Sequence, residues 1–248
     1  MQLAYVYLAK VFVLTACVLL TSSCVPPKED VPPQRQYQKI GLIVPGTVEK
    51  YHIYYVQHAA YYLGWGGTLV AKKITSDRSR RLSQAAGNSP RELAKKLVSA
   101  VQNELERKNK QVVLINSDDK NIDGKKYIYD PKYFLAKSYG TKAHSVDAYL
   151  DIAVVRAGYS AYSPSVGYKP MVHIVVRWID ASSAKVHFTK IFSWGSIYND
   201  DESTLIPAPD KYTVVGFEAL IQDKARMVEG VHQGIPELSR HIIQAIGL

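Results

Sequence analysis

Beyond residue 24 this 248-residue chain contains no cysteine. Cys17 and Cys24 are its only two, so the body holds no internal disulfide and no thiolate metal site. The seven histidines include no His-x-x-x-His pair and no His-Glu-x-x-His motif. His52 and His58 are six apart, the wrong interval for one helical face. His173 and His187 fall on neighbouring strands, but a turn centred on Ser182 and Ser183 sets His173 opposite about Phe192. No Gly-x-Ser-x-Gly elbow occurs, and "GYS" (158–160) and "SWGS" (193–196) read as loop serines. "YNDDES" (198–203) lacks the spaced oxygens and turn glycine of a calcium loop. "IDGKK" (122–126) has no phosphate-loop spacing. The expectation is no metal, no cofactor and no catalytic residue: a protein that is not an enzyme.

A long hydrophobic run is also missing. "VFVLTACVLL" (Val11 to Leu20) follows Lys10 and is too short to stay in a bilayer as a spanning helix. It fits a signal peptide. The segment resembles a bacterial lipoprotein signal, in which small residues precede a cysteine that is acylated, with palmitate among its chains, and becomes the new N-terminus. Leu14-Thr15-Ala16-Cys17 matches the local pattern better. Cys24 leaves a full apolar stretch behind it and a polar segment ahead, so Cys24 is the expected lipidation site and Cys17 the alternative. Val25 follows it rather than aspartate, which by resemblance to enterobacterial sorting implies the outer membrane, with the body facing the periplasm. "VPPKEDVPPQRQYQ" (25–38) reads as a solvated tether with polyproline character. At about 3.1 Å per residue its reach is roughly 40 Å. The expected organisation is signal peptide 1–23, lipidated cysteine and tether 24–38, and one periplasmic domain 39–248.

The net charge is +9 and the basic residues are scattered, "DRSRR" (77–81) and "AKK" (94–96) being the densest patches. That permits an anionic partner, though an exported, membrane-tied chain is not expected to meet nucleic acid. Eighteen tyrosines stand against five phenylalanines, a choice of rings with a polar tip that suits interfaces.

"KIGLIVPG" (39–46) predicts a buried strand. Tyr51, Tyr55, His58 and Tyr62 fall at helical spacing, which predicts a helix ending near Gly64. "TLVAKKI" (68–74) reads as a strand and "TSDRSRRLSQAAGNSP" (75–90) as a polar loop. Ser89, Pro90 and Glu92 form a helix start, and Leu93, Leu97, Val101 and Leu105 its apolar stripe. "QVVLIN" (111–116) is a strand, and "DPKYFLAKSYG" (130–140) a short helix. Strands over 148–159, 171–180 and 186–194 make an antiparallel meander, with Val172, Ile174, Val176 and Trp178 on one face. Residues 214–247 are helical with a break at "GIP" (234–236), and Ile235, Leu238, Ile242 and Ile246 mark the last apolar face. The fold class is α/β (α+β): a mixed sheet with a C-terminal antiparallel meander, helices packed on it, and a lipidated tether at the N-terminus.

The order "IGLIVPG", "ELAKKLVSAVQNELERKNKQVVLIN", "DAYLDIAVVRAGY", "VRWIDASSAKVHFTKIF" and a closing helix resembles the periplasmic α/β domain of three groups. These are the curli-secretion lipoproteins, the lipoprotein activators of penicillin-binding proteins, and the N-terminal domain of the translocation protein TolB. The resemblance implies a component that binds and assembles rather than catalyses.

Two tyrosine-rich segments are the candidate docking surfaces: Tyr54, Tyr55, Tyr61, Tyr62 and Trp65, and the loop rings Tyr159, Tyr162 and Tyr168. The sequence therefore predicts a lipid-anchored binding or scaffold component of an envelope assembly such as a secretion system. Its expected partners are outer-membrane lipid, through acylated Cys24, and other envelope proteins, a homo-oligomer among them. A regulator of cell-wall synthesis and an enzyme acting on envelope glycans are the alternatives.

Overall fold

The structure is a computed structural model that describes residues 37–44, 49–56, 64–116, 144–163, 165–197 and 203–248. Chain contacts separate Met1–Val31 from Pro32–Leu248, and every described residue lies in the second unit. Cys17, Cys24, Tyr61, Tyr62 and the helix expected at 130–140 lie outside the described residues.

The sheet is mixed. Strands β1 (Lys39–Val44), β3 (Gln111–Asn116), β4 (Ala148–Ala161), β5 (Gly167–Asp180), β6 (Val186–Trp194) and β7 (Ser203–Ile206) run in the order β3-β1-β4-β5-β6-β7. β2 (His52–Tyr55) pairs with β4, and the two-residue β8 (Val214–Val215) pairs with β5. β1 is parallel to both its neighbours, and β4, β5 and β6 form the expected antiparallel meander. His173 pairs with Ser193, one residue from the expected Phe192, because the ladder shifts register between Trp178 and Ile179.

The helices α1 (Gly64–Ala86), α2 (Ser89–Arg107), α3 (Phe217–Gln222), α4 (Lys224–His232) and α5 (Gly234–Ala245) supply the main core with one face of this sheet. Leu93, Leu97, Val101 and Leu105 of α2 are buried there with Val172, Ile174, Val176 and Trp178. So is the α5 face Ile235, Leu238 and Ile242, followed by Ile246. A smaller cluster, including Ile43, Ile115, Tyr149 and Ile179, occupies the other face. Strands buried on both faces lose the polar–apolar alternation of a half-exposed sheet.

β4 carries a bulge between Val154 and Arg156. Before it, the even positions Ala148, Leu150 and Ile152 enter the helix-side core; after it, the odd positions Ala157, Tyr159 and Ala161 do. One inserted residue flips every later side chain to the other face. Tyr159 is turned inward and fully buried, its hydroxyl donating to Met227 O at 3.0 Å.

Residues 52–90 depart most from expectation. Residues 52–55 are a strand, not a helix, and Gly64 opens a helix instead of ending one. The expected strand at 68–74 and loop at 75–90 are largely the continuous helix α1. Its buried positions are Gly67, Ala71, Leu82 and Ala86, three of them small, so hydrophobic periodicity is faint. Asn88, not Ser89, occupies the N-cap position of α2, with no side-chain capping bond, and Pro90 sits in its first turn as expected. The C-terminal helical region breaks at Asp223, whose side chain accepts from Arg226 N at 3.1 Å, as well as before Gly234.

Candidate functional site

β4 pairs with β1 along Ala148–Asp151 and with β2 along Gly158–Ala161, so the two short strands share one side of it. The other edge of β2 meets α1 rather than a strand. Ser79 Oγ accepts from Ile53 N at 2.9 Å, and Ser83 Oγ donates to Tyr51 O at 2.8 Å. Ser79 and Ser83 are four residues apart, one above the other on α1. Their hydroxyls satisfy backbone groups that an edge strand otherwise exposes. Alongside them opens a cleft of about 820 Å³, whose walls include His52, Tyr54, Lys50, Lys72 and Arg80. Burial and then Lys50 push the His52 imidazole below its ordinary pKa, so it is neutral at pH 7. The Tyr54 ring lies 5.9 Å from the His52 ring and 5.4 Å from the Arg156 guanidinium carbon.

Past the end of β2, three groups form a knot. Arg78 Nη1 donates to Tyr55 OH at 2.5 Å and to Tyr168 OH at 2.7 Å, and the two hydroxyls are 2.9 Å apart. Arg78 and Arg81 both lie over the Phe217 ring, at 5.2 and 5.1 Å, and Arg81 grips Glu218 through both carboxylate oxygens. Tyr168 is fully buried, and burial foremost raises its pKa. This knot ties α1, β2, β5 and α3 together; it is structural.

A third cluster has the composition of a catalytic site. Tyr51 OH contacts Ser89 Oγ at 2.7 Å and His232 Nε2 at 3.2 Å, and Ser89 Oγ is 3.2 Å from the same nitrogen. Its polarity is wrong for nucleophile activation. Lys96 Nζ, which carries donors and no acceptor, lies 3.1 Å from His232 Nδ1 and donates to it. The ring proton then sits on Nε2 and points at Ser89 and Tyr51, so Nε2 cannot take a proton from serine. An activating dyad needs the opposite arrangement, with an acceptor holding Nδ1–H. Burial and then Lys96 lower the His232 pKa.

Of the rings singled out from sequence, Tyr159 and Tyr168 are core, which corrects their expected place on the surface. Tyr55 is half-buried in the knot, and Tyr54 is half-buried beside the cleft. Trp65 and Tyr162 are exposed, Trp65 at 81%. The other two tryptophans, Trp178 and Trp194, are 1% exposed. Sequence reasoning missed the serine face of α1 and the Ser89–Tyr51–His232 cluster. The four-residue spacing of Thr75, Ser79 and Ser83 was the available signal for the first; nothing local brings His232 to Ser89. Among the described residues, no group of histidine, cysteine and carboxylate side chains is placed to hold a metal, and no helix is long and apolar enough to cross a membrane.

No family model and no curated protein matches the chain. It is similar to several solved structures. One is a Xanthomonas campestris protein of the DUF330 family, at 10% identity and TM-score 0.38, covering 86% of each chain. A hypothetical protein from Chlamydia trachomatis is 11% identical at TM-score 0.37, covering 85% of this chain and 98% of that one. A neuraminyllactose-binding hemagglutinin homologue from Helicobacter pylori is 12% identical at TM-score 0.31, covering 85% and 91%.

Proposed function

We propose that this chain is a lipid-anchored binding module of the bacterial envelope, tied to the outer membrane through acylated Cys24 and docking other envelope proteins from the periplasmic side. The leader "LLTSSCVPP" (19–27) carries the anchoring half of this reading. The cleft between β2 and α1 supports the docking half, because it gathers a tyrosine, a neutral histidine and three cations against Glu49 on one open surface. Such a wall of aromatic and cationic groups suits an acidic segment of a partner protein. The reversed polarity of Ser89 and His232 favours binding over catalysis.

Two experiments test the two halves separately. Cys24→Ser, alone and with Cys17→Ser, should release the protein from the membrane fraction; retention of the double variant would remove the anchor. A C-terminally tagged protein extracted in mild detergent should bring down a defined envelope protein, and Tyr54→Ala with Lys50→Glu should lose it while the protein stays folded. Unchanged capture by that variant would move the docking surface away from the cleft.

A further inference from the structure

Six of the nine large apolar side chains exposed among the described residues lie toward one end of the sheet. Trp65, Leu69 and Val70 are exposed on the first two turns of α1. α1 runs antiparallel to β2, since Ser83 meets Tyr51, Ser79 meets Ile53 and Arg78 meets Tyr55. Continuing that direction carries Trp65 past the Tyr55 end of the strand. The same end of the sheet holds the turn from β4 to β5, where Tyr162 and Val166 are exposed, and Val215, which pairs with Gly167 and is 74% exposed. Isolated exposed apolar residues mean little; six toward one end of a domain call for a common explanation.

On the α1 part of the patch the charges have one sign. From Gly64 to Ser76 the chain carries Lys72 and Lys73 and no carboxylate. Seven residues, or two helical turns, separate Trp65 from Lys72, so both face the same side of α1 about 10 Å apart. An exposed tryptophan beside aliphatic side chains and lysines is the combination that settles at the headgroup level of an anionic bilayer.

The length of the preceding chain sets a further condition. The described body begins at Tyr37, whose ring packs edge-on against Trp178 at 5.3 Å, next to the Ala148 end of β4. The patch lies at the Ala161 end, roughly 40 Å away at about 3.3 Å per residue. The segment 25–38 reaches roughly 40 Å. A tether of that length allows the body to bring its far end back to the membrane that holds Cys24.

We propose that this end of the domain, centred on Trp65, Leu69 and Val70 with Lys72 and Lys73, docks on the anionic surface of the bilayer. The inference rests on the lipid-anchored reading. Docking fixes the orientation of the domain and brings the Lys72 wall of the β2–α1 cleft beside the membrane.

Trp65 is its own reporter, because the other two tryptophans are buried. The full acylated protein would be reconstituted into vesicles of phosphatidylcholine alone or mixed with phosphatidylglycerol, with and without bromine-labelled lipid. In the phosphatidylglycerol vesicles Trp65 emission should shift to the blue, be quenched by the bromolipid and lose accessibility to acrylamide. Lys72→Gln and Lys73→Gln should each weaken this about fivefold. Trp65→Phe should remove the signal, and Leu69→Ser should reduce acrylamide protection without releasing the protein from the vesicles. Protein that floats with the vesicles while Trp65 stays as open to acrylamide as without lipid would overturn the inference and leave the anchor intact. Protein that does not float at all would remove the anchor; added vesicles in excess then read the patch directly, and no shift there rejects it. Protection that grows with protein concentration in the absence of lipid would assign the patch to a second copy instead.

Discussion

Replacing Ser79 by alanine should cost more stability than replacing Ser83, although the two substitutions look identical on the helix. Both remove one hydroxyl from α1, and both gain the same small increment of helix propensity. They differ in what is left behind. Ser79→Ala strips the acceptor from the backbone N–H of Ile53, a residue 1% exposed. An N–H has one hydrogen to give, and an orphaned buried donor costs about 1–3 kcal/mol. Ser83→Ala removes one donor from the carbonyl of Tyr51. A carbonyl has two lone pairs and tolerates losing a partner better, at about 0.5–1 kcal/mol. The expected difference is about 1 kcal/mol, or roughly 2–4 °C in Tm for a domain of this size. Urea unfolding followed by far-ultraviolet circular dichroism, with equal m-values required of both variants, measures it. Should Ser83→Ala prove as costly as Ser79→Ala, the account of α1 as a side-chain cap on the β2 edge is wrong.

Three further perturbations have a definite sign. His232 and His52 both have pKa values lowered by burial and then by a lysine, so the folded state favours their neutral forms. Stability from these groups is present above the unfolded value near 6.5 and is lost as pH falls from there toward the lower folded values, because only the unfolded chain takes up the protons. His232→Gln should flatten part of that slope in unfolding curves collected across the range; an unchanged slope would exclude His232 as its source. Asp180 accepts from both the backbone and the side chain of Ser182 and of Ser183; burial opposes its charge, but these hydrogen bonds outweigh it and hold the pKa at about 2. Its contribution is present above the ordinary carboxylate value and disappears as pH falls through about 2, so Asp180→Ala should lower stability at neutral pH and narrow the gap to wild type in strong acid. Gly158→Ala should be the most damaging of these changes, at about 3 kcal/mol or more, because φ is +142° and the new Cβ would sit 2.1 Å from His52 O; soluble, fully stable variant protein would contradict the close approach of β2 to β4.

The legible parts of the fold were those whose burial has a period. The α2 stripe, the β5 face and the α5 face repeat at their proper spacing and were found. α1 was not, because Gly67, Ala71 and Ala86 bury almost no side chain and its serines pack against backbone instead of apolar groups. A Ser-Arg-rich run that looks solvated reads as a loop. The surface tyrosines were misjudged for a different reason. The bulge at Val154 and Arg156 changes which residues of β4 face inward, and no local pattern announces it. Tyr159 therefore moved from loop to core, and Tyr168 followed through its knot with Arg78. Exposure at Trp65 and Tyr162 survived because neither lies beyond such a switch inside a strand.

The pairing of β1 also bears on time. Lys39 is paired with Gln111 and Ile40 with Ala148, while β4, β5 and β6 each meet the next strand made. A ribosome that has released β1 has not yet supplied either of its neighbours. Non-local parallel pairing of this kind closes slowly, and local hairpins close first. The strand nearest the N-terminus therefore acquires both its neighbours only after most of the chain exists.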